Sequence, residues 1–354
     1  MFQVETAQEL LVSLKRETQP LGPTCIDDLD DHIRRALPEL TTDASTLNRG
    51  DVFEIHGSHG SGKTHLLYFI VMTCVLPYSA ILRHNGLTES FELGGKEKAV
   101  IAVDCDRQWS TDRINELVSH YVRKRIEWTL AQESIEISRE LSSIIGSLAK
   151  DISDQSLRRL HIFRPSSPLQ LAATLASIPN FHATSTPDQE ICMLMIDSLT
   201  AFRWPDLGTS EHNVRSQNGS SLHAEVPIKQ VTDCIQALRE SLGVVTFVTR
   251  LTVPALPPTQ DRGQSLPSHY TSALDHPHGQ AHDKLSSSTT HQITLFPRTN
   301  SPGIGGPGTE PSVNVEACVR TSVDSGDGRM PRARHRVEVG KFEFRISEGG
   351  LHWP

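Results

Sequence analysis

The fold turns on residues 52–64, Val52-Phe53-Glu54-Ile55-His56-Gly57-Ser58-His59-Gly60-Ser61-Gly62-Lys63-Thr64, and on the apolar run Leu66 to Leu76 that follows them. Val52, Phe53 and Ile55 make a short strand, a glycine-rich turn follows, and a helix runs from Lys63 to Leu76 until Pro77 stops it. The stretch from Gly57 to Thr64 fits GxxxxGK[ST] at every fixed position, and a strand before it and a helix after it are the context that pattern requires. Glycines let backbone N–H groups turn inward toward phosphate oxygens. The helix N-terminus adds partial positive charge. The reading is a nucleotide site in which Gly57, Ser58, His59, Gly60, Ser61, Gly62, Lys63 and Thr64 surround the phosphates of ATP. Lys63 reaches the β- and γ-phosphates, and the Thr64 hydroxyl holds Mg²⁺. His59 reads as an exposed side chain of the loop rather than as a catalyst.

Two further acidic positions end apolar strands. Ile191 to Ile196 closes on Asp197, the pattern of a carboxylate that positions Mg²⁺ with Thr64. Ala99 to Val103 closes on Asp104-Cys105-Asp106, where a carboxylate either orients an attacking water or caps the strand end. Both readings stay open for that pair at this point.

Outward from these sites, strands alternate with helices, which argues an α/β fold with a mainly parallel sheet. Helices are expected over Cys25–Leu37, over 112–150, from a Ser166 or Ser167 cap through Ile178, and over Ile228–Leu242. Strands are expected at Leu160–Phe163 and Gly243–Thr249, then at Gln292–Phe296, Val313–Val319, His335–Val339 and Phe342–Ile346. Four regions follow: an acidic leader over 1–50, an ATP-binding core over 51–250, a Pro-, His- and Ser-rich insertion over 251–311 expected to be disordered, and C-terminal strands over 312–354 that complete the core. The leader carries 9 acids against 5 bases, and the capping-box spacing from Thr6 to Glu9 places a short helix before Leu10, Leu11 and Leu14. Those leucines dock on a neighbouring subunit or pack on their own core. The insertion holds 9 of the 21 prolines, so the proline richness marks one segment rather than the domain.

Composition narrows the classes further. No apolar run reaches the ~18 residues of a membrane helix, and the N-terminus lacks the pattern of a secretory signal. The six cysteines form no CxxC pair, which suits buried thiols in a reduced, intracellular protein. The net charge of −8 speaks against a surface that coats nucleic acid. The acidity is uneven, however: residues 320–345 hold 7 bases against 4 acids. Arg329, Arg332, Arg334 and Arg336 within them read either as a phosphate contact or nuclear-import signal, or as a solvated loop. The five histidines from His269 to His291 match no zinc spacing. Trp109 and Trp204, which follow the two acidic strands, seat a partner or the adenine, or pack in the core.

Taken in order, the three sites resemble those of the RecA-type recombinase family. IAVDCDRQWSTDRI (101–114) looks like the family's strand with its catalytic carboxylate, and MLMIDSLTAFRW (193–204) like its Mg²⁺ strand, with Asp197-Ser198 as the usual pair. EIHGSHGSGKTHLLYFIVMTCVLP (54–77) narrows the resemblance to the short eukaryotic recombinase paralogues. It covers about residues 50–250. It implies a RecA-like P-loop NTPase core, with a mainly parallel sheet flanked by helices and closed by C-terminal antiparallel strands. It also implies that the strand at 243–249 lies between the phosphate-loop strand and the Asp197 strand.

The functional expectation is an ATP-binding subunit of a heteromeric complex in DNA double-strand break repair by homologous recombination. Its partners would be other recombinase paralogues, with single-stranded or junction DNA met directly or through the complex, in the nucleus. By the resemblance Lys63 and Asp106 are the catalytic residues, and Thr64 and Asp197 the metal ligands. Asp106 stands where active recombinases place Glu, one methylene shorter and so about 1.5 Å less in reach. A misplacement of ~1 Å can cost on the order of 10²-fold in rate, so any ATPase is expected to be weak. Arg250-Leu251 stands near the family's Gln that couples the γ-phosphate to DNA. The phosphate loop arrives by residue 57, leaving no space for a helical N-terminal domain, and no FxxA-type polymerisation peptide precedes the core. Both favour pairing with a different paralogue over self-assembly. The alternatives are a nucleotide-independent scaffold subunit and a free-standing P-loop small-molecule kinase.

Overall fold

A computed structural model describes residues 20–39, 41–42, 45–84, 87–202, 225–252, 290–298, 312–323 and 336–353. The leucine stripe near Thr6, Trp204, the histidines from 269 to 282 and Arg329, Arg332 and Arg334 lie outside the described residues, as does most of the 251–311 segment.

The described chain runs α1 (Asp27–Ala36), β1 (Val52–Gly57), α2 (Lys63–Val75), β2 (Ser79–His84), β3 (Leu87–Glu92), β4 (Ala99–Asp104), α3 (Thr111–Gln132), α4 (Arg139–Leu157), β5 (Leu160–Phe163), α5 (Pro168–Ser185), β6 (Ile191–Asp197), α6 (Glu225–Leu242), β7 (Val245–Leu251), β8 (His291–Arg298), β9 (Val313–Val323), β10 (Arg336–Ser347) and β11 (Gly350–His352). Nine strands form one sheet in the order β11-β10-β9-β8-β1-β7-β6-β4-β5. From β8 to β5 all neighbours are parallel, and β8 to β11 pair antiparallel. This is the expected RecA-like core, with β7 between β1 and β6 as the resemblance implied.

The central strands β4 and β6 are buried on both faces, which is why they read as continuous apolar runs rather than as alternating ones. Val100 and Ala102 face a layer built from α2, α3 and α4. Ala99, Ile101 and Val103 face α5 and α6. Ten of the 13 residues of α2 are buried, the signature of a helix enclosed on all sides. Leu76, ahead of Pro77, is extended at ψ 148° and ends it. The result is a rigid mount that fixes the helix N-terminus against the ends of β1 and β6. Ligands of open α/β sheets bind at such strand ends.

Four elements depart from the sequence expectations. The helix expected over 112–150 is two helices, broken at Glu133–Ser138, where Ser134 has φ 59° and the Ser138 hydroxyl accepts from Leu141 N to start α4. The helix after Ser167 continues past Pro179 to Ser185. Phe181 packs edge-on against Phe163 and His161, and the His182 ring bonds the Gln189 carbonyl, so tertiary contacts offset the backbone bond that the proline removes. β2 and β3 form a hairpin that sequence reasoning did not place. The runs around 335–346 are one strand, β10, crossing Gly340. Among the described residues no helix is long and apolar enough to cross a membrane.

Candidate functional site

The phosphate loop has the geometry its glycines demand. Gly60 and Gly62 take φ 72° and 92°, backbone that L side chains rarely adopt. A Cβ on Gly57 would stand 2.2 Å from Ser61 Oγ. A Cβ on Gly62 would stand 2.6 Å from Ile346 Cδ1, so β10 packs directly beneath the loop. Ser61 Oγ is buried and, among the described residues, has no hydrogen-bond partner. A narrow glycine cradle with a buried hydroxyl left over fits a ligand rich in acceptor oxygens, which is what a polyphosphate offers. His59 is exposed, as read from the sequence.

Lys63 arches back over the loop, its Nζ donating to the carbonyls of Gly57 (3.0 Å) and Ser58 (2.8 Å). Burial lowers its pKa, while Asp197 and Asp106 pull the other way. The ammonium is thus poised between the loop carbonyls and two carboxylates.

Asp197 is 3% exposed, and its carboxylate accepts from three side chains. Thr64 Oγ1 donates to Oδ2 at 2.8 Å, Trp109 Nε1 to Oδ2 at 3.0 Å, and Thr249 Oγ1 to Oδ1. Thr64 and Asp197, 133 residues apart in sequence, therefore meet. Among the described residues no three His, Cys, Asp or Glu side chains gather as a metal site. One hydroxyl and one carboxylate suit Mg²⁺, which completes its shell with water and phosphate oxygens.

The structure separates Asp104 from Asp106. Asp104, wholly buried, lies opposite Asp197 in register across β4 and β6. It accepts from Gln108 N (2.9 Å), Trp109 N (3.2 Å) and Arg164 Nε (3.0 Å). It is the cap of the strand end. Asp106 is exposed toward the loop, and its pKa is raised, by desolvation first and then by the neighbouring Asp197 and Asp104. Hydrogen bonding to Ser198 and the charge of Lys63 oppose that rise.

Two expectations about neighbouring residues are refined. Trp109 is 4% exposed and stacks edge-on against Tyr68 at 5.1 Å, so it presents no open face to a base or a partner. Sequence reasoning missed its donor role toward Asp197. Arg250 is engaged by β1: it is 4% exposed, with Nε 2.6 Å from Glu54 Oε1, and Glu54 in turn lies 3.1 Å from His56 Nε2. Next to Thr64, an aromatic-lined cavity of about 360 Å³ opens between His65, Tyr68, Phe69 and Trp353.

Among curated proteins the chain is similar to "DNA repair protein XRCC2" of Mus musculus, 27% identical over 216 residues, which are 61% of this chain and 59% of that protein. It is also similar to "DNA repair protein XRCC2 homolog" of Arabidopsis thaliana, 25% identical over 219 residues, 58% of this chain and 56% of that protein. The chain thus aligns with less than two thirds of the length of either relative. No family model matches. The resemblance to the eukaryotic recombinase paralogues, read from residues 54–77 and 193–204, is borne out, and it is to XRCC2.

Proposed function

We propose that this chain is an ATP-binding recombinase paralogue that acts in DNA repair. It would serve in the nucleus as a subunit of a heteromeric assembly that repairs double-strand breaks by homologous recombination. The observation that carries the nucleotide reading is the meeting of Thr64 Oγ1 with Asp197 Oδ2 at 2.8 Å, at the mouth of a glycine loop closed by Lys63. The repair role rests on the names of the two relatives. Thr64 and Asp197 would hold Mg²⁺, which would supply charge neutralisation for the phosphates when bound. Around it, the backbone N–H groups of Ser58–Gly62 cradle the phosphates. Lys63 would release its loop carbonyls to take a phosphate oxygen, and Asp106 would orient the attacking water.

Binding outweighs turnover in this reading. Asp106 is a short carboxylate of raised pKa, and Arg250 is buried in an ion pair with Glu54. ATP then acts chiefly by binding the folded state and ordering a subunit interface. Paralogue partners complete the assembly, and DNA, single-stranded or junction, is met directly or through it.

The test is calorimetric titration with ATP and Mg²⁺ of wild type and Lys63→Ala, alongside affinity purification of the tagged chain from its source cell. Expected are binding by wild type, a strong loss in Lys63→Ala with an unchanged melt, and co-elution of recombinase-like chains. Unaltered binding in Lys63→Ala would refute the site. No heat from folded wild type would favour a nucleotide-independent scaffold. Phosphate transfer to small acceptors without DNA or partners would favour a kinase.

A further inference from the structure

We infer that Trp109 is a positioning residue for the Mg²⁺ carboxylate, and that the metal-dependent part of nucleotide affinity runs through its indole N–H. This rests on the nucleotide reading above and goes beyond it by adding a residue to the site.

Trp109 is pinned at every polar atom it has. Its backbone N–H donates to Asp104 Oδ2 (3.2 Å) and its carbonyl accepts from Arg164 Nη2 (2.9 Å). Arg164 Nε also bonds Asp104 Oδ2 (3.0 Å), tying both anchors together. The ring sits edge-on to Tyr68 of α2, whose hydroxyl donates to the Gln108 carbonyl (3.3 Å) and accepts from Ser110 N (3.1 Å). The turn after β4 is thereby strapped to the helix that follows the phosphate loop. The one polar atom of the ring, Nε1, is spent on Asp197 Oδ2 at 3.0 Å. A buried indole could satisfy its N–H on any nearby carbonyl. Here it goes to the carboxylate that shares a hydroxyl with the metal-binding Thr64.

That sharing sets the consequence. Thr64 and Trp109 donate to the same oxygen, and Thr249 donates to the other. When the Thr64 hydroxyl turns to a metal, Trp109 is the donor left on Oδ2 and Thr249 the donor left on Oδ1. Together they would keep the carboxylate plane fixed, leaving its remaining lone pairs to serve the metal. A phenyl ring would keep the packing on Tyr68 and lose that hold.

The experiment measures ATP affinity of the full chain by calorimetry, once with Mg²⁺ and once in EDTA. Trp109→Phe is expected to lose about tenfold of the gain that Mg²⁺ confers on wild type, the worth of one hydrogen bond to a charged group, with affinity in EDTA unchanged. Arg164→Gln, which removes the guanidinium that ties Asp104 to the Trp109 carbonyl, is expected to lose less in the same direction. A full Mg²⁺ gain in Trp109→Phe overturns the inference, as does an equal loss with and without Mg²⁺. A second readout needs no nucleotide. In ¹⁵N-indole spectra of the free protein, Asp197→Asn should move the one indole N–H resonance that Trp109→Phe removes, and an unmoved resonance also overturns the inference. If wild type binds no ATP, the nucleotide reading fails, and the indole shift alone then decides whether Trp109 holds Asp197.

Discussion

A methyl group placed on Gly62 tests whether the C-terminal strands belong under the phosphate loop. Two costs add at that position. An L residue at φ 92° carries the left-handed penalty, about 1–2 kcal/mol. Its Cβ would also lie 2.6 Å from Ile346 Cδ1, forcing that side chain off its rotamer for about 0.5–1.5 kcal/mol more. Gly60 is the internal control: its φ is 72°, yet a Cβ there meets nothing within 4 Å, so Gly60→Ala carries the backbone penalty alone. Urea unfolding of a chain this size, with m of about 3 kcal/mol/M, should show midpoint losses of roughly 0.3–0.7 M for Gly60→Ala and roughly 0.5–1.2 M for Gly62→Ala. Ile346→Val deletes the clashing atom. On its own it costs about 0.5–1.5 kcal/mol. Combined with Gly62→Ala it should cost less than the sum by about 0.5–1.5 kcal/mol, the steric share. Strict additivity, together with equal losses at Gly60 and Gly62, would refute the packing of β10 beneath the loop.

Other outcomes follow from the same coordinates. Asp106 has a folded-state pKa above its ordinary 3.8, so the native state holds its proton more tightly than the unfolded chain. Stability therefore falls as pH rises from about 4 through that raised value. Asp106→Asn should accordingly stabilise the protein at pH 7 and lose this effect below pH ~4, read as the urea midpoint at each pH. Arg250→Met strips Glu54 of its buried guanidinium partner and should cost about 3–5 kcal/mol, whereas Glu54→Met with Arg250→Met should cost far less, by the same unfolding assay. Cys74 and Cys192 lie with their sulfurs 3.0 Å apart in the core, and burial pushes the Cys192 thiol well up. Neither should label with iodoacetamide in the native protein, by mass spectrometry, until denaturant is added.

The parts of the fold legible in the sequence are those where one local rule suffices. The loop from Gly57 to Thr64 is specified by backbone chemistry. Strands β4 and β6 are specified by burial on both faces, which leaves uninterrupted apolar runs that close on a carboxylate. Where tertiary contacts decide, the sequence misled. Gly340 looked like a break between two strands, yet it marks a close approach: a Cβ there would stand 2.4 Å from His32 Nδ1 of α1. Pro179 looked like a helix end, and Phe181 and His182 carried the helix past it. The hairpin of β2 and β3 was within reach, because Asn85-Gly86 between the runs is a strong hairpin signal. Its buried face, Ala80, Leu82 and Phe91, is short and mixed with polar residues, which hid the alternation.

The candidate site shows the same boundary in finer grain. From the residue pattern alone Asp104 and Asp106 stand alike beyond β4, because both follow an apolar run, and only the family resemblance singles out Asp106. Alternation puts them on the same side of an ideal strand, so periodicity cannot choose between them. Hydrogen bonding chooses. Asp104 accepts two backbone N–H groups and an arginine, so its oxygens are committed to holding the turn. Asp106 faces outward among Lys63, Asp197 and Ser198, desolvated enough to raise its pKa. The committed carboxylate in turn fixes Trp109, and Trp109 fixes Asp197. The residue with a structural role is therefore part of the site at one remove. A motif scan finds Lys63, Thr64 and Asp197 because their chemistry is bound to their spacing. It cannot find Trp109, whose role depends on a 3.0 Å contact across 88 residues of chain.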